Sequence, residues 1–223
     1  MDIYLCSTVR HLLFSLLRSL SNEGQVSHIF FICDQQKIDK NNYDRTCLPE
    51  NIFISFIKRE DIKKKLTKTI TGTFVKTIAQ FNIKTSSFLR EKMRGFVFEN
   101  ILALKNSATS LESAQLYLFN DRNKISRVFR LAFKNYSIIE DGLSNYSGKK
   151  FNFFEKIKAL ILFNKQNMRY LGDDKRCKEI YLLKPKDAPE FIKEKVKNIN
   201  FITAKDIDKY CYNFFKVEPL QRS

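Results

Sequence analysis

Two adjacent carboxylates, Glu140 and Asp141, followed at once by Gly142, are the residues of this chain best placed to do chemistry. They close a short apolar run, Tyr136–Ile139, within the stretch QLYLFNDRNKISRVFRLAFKNYSIIEDGLSNY (115–146). Side by side, one carboxylate can stay ionised and take a proton while its neighbour hydrogen-bonds the turn. Gly142 lets the backbone turn in a way that a side chain would block, bringing the acids close to a ligand. The competing reading is that Asp141 only caps the turn. Ser7 and Thr8, after another apolar run, could bind substrate hydroxyls or serve as ordinary helix caps. Asn145 and Tyr146 either line a site beside the acidic turn or belong to a surface loop. The chain has two histidines: His28 opens a strand and reads as structural, while His11 lies near the same edge as Ser7 and is a further candidate. Two isolated histidines make no metal site, and no Ser-His-Asp set can be argued.

The elements that must position these residues follow from apolar spacing. Gln115–Phe119 and Tyr136–Ile139 read as strands joined by a helix over Asp121–Phe133, with Asp121 as its N-cap. This β-α-β unit puts the acidic pair at the C-terminal end of a strand, the edge where open α/β sheets bind ligands. Upstream, Ile3–Cys6 reads as a first strand, followed by a helix with Leu12, Leu13, Leu16, Leu17 and Leu20 on one face. His28–Cys33 and Ile52–Ile57 are further strands. Arg59–Ile70 is a basic helix or loop, 71–87 fits neither period cleanly, and Phe88–Leu104 is a helix. Downstream come a loop over Asn145–Lys150, a strand at Glu179–Leu183, a short helix at Pro189–Lys197, a last strand at Ile199–Ile202 and a terminal helix at Asp206–Phe215. Alternating strands and helices imply an α/β fold, a Rossmann-like and mostly parallel sheet flanked by helices. No G-x-G-x-x-G follows the first strand, which argues against a dinucleotide-dependent dehydrogenase.

Composition narrows the class. A 223-residue chain with 43% hydrophobic residues can bury a core of one domain. Forty Lys and Arg against 24 Asp and Glu give a net charge of +16, a field that draws polyanions, anionic headgroups or sugar nucleotides. The same excess also arises from codon bias toward Lys. Lys63-Lys64-Lys65 and Lys149-Lys150 are short runs without base-reading motifs, so nucleic acid is not the expected partner. Five dispersed cysteines without a C-x-x-C pair indicate a reducing compartment rather than disulfides or zinc. No signal peptide and no apolar run of about 20 residues is present. These features place the protein in the cytoplasm, with peripheral contact to an anionic inner membrane face as a further expectation. Phe153–Phe163, dense in apolar residues among lysines, reads as a buried helix with snorkelling lysines or as a membrane-surface segment.

Ile138-Ile139-Glu140-Asp141-Gly142-Leu143-Ser144-Asn145-Tyr146 resembles the acidic-acidic-glycine motif of bacterial sialyltransferases, in the group of lipooligosaccharide sialyltransferases and capsule polysialyltransferase-like enzymes. Ile3-Tyr4-Leu5-Cys6-Ser7-Thr8 is similar to that group's first strand and turn. Lys178–Leu183 with Pro189–Val196 is similar to the strand and helix leading to its domain junction. The resemblance implies one half of a GT-B type glycosyltransferase that moves sialic acid from CMP-sialic acid to a cell-surface glycan, the acceptor being free or lipid-linked. It implies Asp141 as general base, Glu140 as its support and Gly142 as the turn-former, with inversion at the anomeric carbon. No metal or cofactor is expected; the nucleotide sugar is a substrate.

The resemblance also implies a second domain whose His-Pro motif and hydroxyl residues hold the CMP portion. This sequence contains no His-Pro pair. The expected organisation is therefore an acceptor-side domain over 1–204 and a terminal or linker helix over 205–223, with the C-terminal donor-binding domain absent and little activity expected from this chain alone. Two rival readings remain: a basic nucleic-acid-binding α/β module, and a non-catalytic interaction domain in capsule assembly.

Overall fold

A computed structural model of the chain describes residues 1–22, 24–36, 39–81, 86–104, 113–151, 153, 156–157 and 168–218. Seven strands form one parallel sheet: β1 (Asp2–Cys6), β2 (Ser27–Ile32), β3 (Ile52–Ile57), β4 (Gln115–Leu118), β5 (Tyr136–Ile139), a strand over Cys177–Leu182 and a last one over Val196–Asn198. Between β5 and these last two strands, the two-residue strands β6 (Lys149–Lys150) and β7 (Met168–Arg169) pair antiparallel as a separate ladder. The sixth and seventh strands of the main sheet are accordingly β8 and β9. Their spatial order is β3-β2-β1-β4-β5-β8-β9. The chain winds outward from β1 to β3, then returns to the other side of β1 and winds outward again. The switch therefore falls between β1 and β4, which pair Asp2 with Gln115 and Leu5 with Leu118. At such a switch the connecting loops diverge and open a crevice at the strand carboxyl ends.

The period-2 geometry of each strand feeds two cores. In β1, Ile3 and Leu5 point to one face, while Tyr4 and Cys6 point to the other. On the first face pack α2 (Arg59–Lys68), α3 (Ile70–Phe81), α4 (Ser87–Phe96, continued by a π-helical turn over Val97–Leu102) and α5 (Lys124–Ala132). On the second face packs α1 (Val9–Ser21), burying Leu12, Leu16, Leu17 and Leu20. A helical stretch over 204–215 joins it there, with Cys211 and Phe214 in the same core. Burial of both sheet faces explains why the strands read as continuous apolar runs.

Several expectations change. The ambiguous stretch 71–87 is helical over 71–81, in α3, and again from Ser87, where α4 starts after the Ser86 cap; Val75, Ile78 and Ala79 supply the helical stripe of α3. Asp121 does not cap α5. The Asn123 side chain does, accepting from the Ser126 amide at 2.8 Å. Asp121 is instead fully buried, accepting from the Tyr136 hydroxyl at 2.6 Å and lying 3.6 Å from both Arg130 and Arg122. Pro189–Lys197 is not one helix: Glu190–Lys195 is a 3-10 turn and Val196–Asn198 is the last strand. Ile199 and Phe201 imitate a strand because alternate residues are buried, yet they lie beyond the ladder, which ends where the Ile199 amide reaches the Leu182 carbonyl. The expected loop at Asn145–Lys150 carries the end of a 3-10 turn and β6. Most of Phe153–Phe163 lies outside the described residues. No helix among the described residues is long and apolar enough to cross a membrane.

The most demanding buried feature is ionic. Arg130, 2% exposed, sits between Asp121 and Asp174, and its backbone carbonyl accepts from Arg176. Burial pushes the Asp174 carboxyl up, but hydrogen bonds from Arg176 and the charges of Arg176 and Arg130 outweigh it, leaving a net lowering. Removing one partner of such a cluster strands charge in a low-dielectric interior. Arg130→Met should therefore destabilise the fold by about 3–5 kcal/mol, read as a lower urea midpoint at unchanged m-value.

Candidate active site

The first turn of α1 and the turn after β5 meet across the carboxyl edge of the sheet. Thr8 starts α1: its hydroxyl accepts from the His11 amide at 3.2 Å, fixing where residues 10 and 11 project. The Val9 amide, a second unpaired helix-end donor, goes to the Gln36 side chain at 3.0 Å. Arg10 and His11 then reach the acidic pair, 130 residues away in the chain.

Glu140 and Asp141 differ sharply despite being neighbours. Glu140 is buried, and both oxygens of its carboxylate are engaged by structure. Oε1 accepts from Arg10 at 2.9 Å; Oε2 accepts from the Tyr146 hydroxyl at 2.5 Å and the Leu183 amide at 2.8 Å. The Tyr146 hydroxyl in turn accepts from the Lys184 amide at 3.1 Å. Burial, with the hydrogen bond to Glu140, pushes the Tyr146 phenol up to about 12, so it remains a donor through the neutral range. Glu140 thus clamps β5, the following turn and the end of β8 together.

Asp141 keeps a quarter of its side chain exposed. His11 Nε2 lies 2.5 Å from its Oδ1, and no described residue donates to Oδ2. The His11 ring is held on every side. It stacks on Phe119, beyond the end of β4, with centroids 4.0 Å apart and planes 8° from parallel. The Ser7 amide donates to Nδ1 at 3.3 Å, and the Ser7 hydroxyl is equally close. A backbone N–H can only donate, so Nδ1 presents its lone pair and Nε2 carries the proton toward Asp141. Asp141 is therefore oriented by the Nε2 N–H of a ring whose other nitrogen faces Ser7.

The turn itself is fixed by Asn145, which is buried. Its side-chain oxygen accepts from the Asp141 amide at 2.8 Å and the Gly142 amide at 3.2 Å. Gly142 adopts φ 132° and ψ −149°, a conformation essentially reserved for glycine. A Cβ there would also stand 3.4 Å from the Arg10 guanidinium.

The structure thus gathers Ser7, Glu140, Asp141, Gly142, Asn145 and Tyr146 at one edge, though only Asp141 offers an uncommitted polar atom toward solvent. The Thr8 hydroxyl is spent on capping, and Ser7 faces His11. Asn145 and Tyr146 brace the turn. Sequence reasoning gave no role to Arg10 and only a marginal one to His11. The available signal was their place, two and three turn positions after the predicted Ser7-Thr8 cap at the same sheet edge. Among the described residues no three His, Cys, Asp or Glu side chains converge as a metal ion would require.

A doubly wound parallel sheet with an acidic turn at its carboxyl edge is compatible with the Rossmann-like fold of glycosyltransferases. The family model described as Glycosyltransferase family 52 matches residues 50–221, more than half of the chain and including the acidic turn; the chain belongs to that family, and a transferase function follows. No curated protein and no solved structure matches the chain.

Asn145→Ala leaves the half-buried amides of Asp141 and Gly142 without an acceptor. It should cost about 1–3 kcal/mol and raise hydrogen exchange at those two amides above that of neighbouring β5.

Proposed function

We propose that this chain is the acceptor-side part of a sialyltransferase-like enzyme, with Asp141 as its general base. The observation that carries the reading is the division of labour at the acidic turn. Three donors consume Glu140, whereas Asp141 is oriented by His11 through one oxygen and keeps the other for a substrate. A carboxylate so held is preorganised to receive a proton without first reorganising its surroundings.

In the proposed reaction an acceptor hydroxyl lies against Asp141 Oδ2. Its oxygen forms a bond to the anomeric carbon of sialic acid while its proton passes to Oδ2. The bond from that carbon to the phosphate oxygen of CMP breaks, and CMP leaves with the electron pair. Attack opposite the leaving group inverts the anomeric centre. His11 holds Asp141 throughout and need not change protonation state. Donor recognition falls to a second, C-terminal domain of the GT-B arrangement, and the helical stretch over 204–215 would lead toward it. The proposed acceptor is a lipooligosaccharide or capsule glycan precursor on the cytoplasmic side. The +16 charge would favour approach to an anionic membrane face.

The test is CMP release from CMP-sialic acid with galactose- and sialic-acid-terminated acceptors, using this chain and a version extended by a donor domain. Asp141→Asn, which keeps the shape and loses the base, should lower kcat about 10²–10⁴-fold and leave KM for the donor little changed. Full activity in that variant would remove Asp141 from the mechanism. Absence of turnover with every acceptor in the extended form would remove the sialyltransferase reading.

A further inference from the structure

The loop that carries the acidic turn continues into a pocket that the proposed chemistry leaves unused. Ser144, Ser147 and Lys149 line it from the 142–149 loop. Arg122, after β4, Arg169, at the end of β7, and Tyr170, just beyond it, are among the residues that face them across a volume of about 380 Å³. That volume suits a sugar unit with a substituent rather than a bare ion. Three cations line the pocket, and no carboxylate does.

The Arg122 guanidinium is held in place from outside the lining. It pairs with Asp173 and donates to the Tyr170 carbonyl at 3.0 Å, and Asp173 also accepts from the Tyr170 amide at 2.9 Å. Arg122 and Tyr170 are therefore braced as one wall rather than left to find their geometry on binding. The Tyr170 ring is seated between Phe191, stacked at 5.9 Å, and Gly148, where any Cβ would come within 2.6 Å of it. Glycine at 148 is thus what lets the ring take this place. An aromatic ring, two hydroxyls, the braced Arg122 and two further cations form the lining that a polar, negatively charged saccharide requires.

From these observations we infer that the pocket is an acceptor subsite for a saccharide bearing an oxyanion, either a phosphate or a carboxylate. The word acceptor rests on the glycosyl-transfer reading above; the oxyanion-sugar specificity does not. Because the acidic turn and the pocket share one loop, a sugar anchored by its charge here would be registered against the 140–142 turn by a short, fixed segment. Arginine in a rigid setting favours paired hydrogen bonds to either oxyanion, and Lys149 adds a point charge.

Isothermal titration of the full chain at low salt tests this with four probes: galactose 6-phosphate, N-acetylneuraminic acid, galactose and inorganic phosphate. At least one charged sugar should bind about 10-fold more tightly than galactose and than inorganic phosphate. Whichever charged sugar binds better identifies phosphate or carboxylate as the group read. Lys149→Gln, on an exposed side chain, and Arg169→Gln should each weaken that binding about 5–10-fold. Gly148→Ala, which displaces Tyr170, should weaken it without removing any charge. Equal binding of galactose, equal binding of inorganic phosphate, or indifference to all three substitutions would overturn the subsite. Competition by CMP would overturn its assignment to the acceptor. Asp141→Asn should leave the binding intact, so full transfer by that variant with retained binding counts against the general base and not against the pocket.

Discussion

The short hydrogen bond from His11 to Asp141 is the constraint on which the rest of this site depends. It couples two segments that the fold must bring together independently: the first turn of α1 and the turn after β5. Each end is secured by several weaker interactions. The Thr8 cap, the Ser7 amide and the Phe119 ring fix the imidazole. Asn145 and the Glu140 clamp fix the carboxylate's backbone. Because these supports are mostly buried, water competes with them poorly, and the geometry of Asp141 is set before any ligand arrives.

The sheet order makes this meeting possible. With β1 and β4 adjacent at the switch point and β5 one strand further, the first turn of α1, which follows β1, comes within reach of the turn after β5. A helix packed on one face of β1 could not reach β5 if the chain wound outward in only one direction. The fold therefore converts a sequence separation of 130 residues into a contact. The two neighbouring carboxylates at 140 and 141 differ in burial and in their partners. Glu140 lies inside, where its charge must be met by donors, and Asp141 lies at the rim, where it can meet a substrate.

The sequence disclosed what depends on local spacing. Short continuous apolar runs located β1, β3, β4, β5 and β8, because burial on both sheet faces leaves a strong pattern, and the leucine stripe located α1. It disclosed the acidic turn as well, since two carboxylates and a glycine closing an apolar run mark a turn at the end of a strand. It misled where one pattern has two physical origins. Ile199 and Phe201 alternate in burial without pairing in a ladder, and Asp121 occupies a position typical of a cap while belonging to a buried ion cluster. It was silent on Arg10 and nearly so on His11. Their partners lie in a distant segment, so their place just after the Ser7-Thr8 cap puts them at the sheet edge without saying what they meet there.

The most direct test of this account is the protonation pattern of the His11 ring, read by long-range ¹H–¹⁵N correlation on the folded chain. The geometry predicts a proton held on Nε2 and a bare Nδ1 at neutral pH, with the Nε2 signal displaced on Asp141→Asn. A proton on Nδ1, or two nitrogens averaging as in a free imidazole, would show that Ser7 and Asp141 do not hold the ring and would contradict the arrangement proposed for the site.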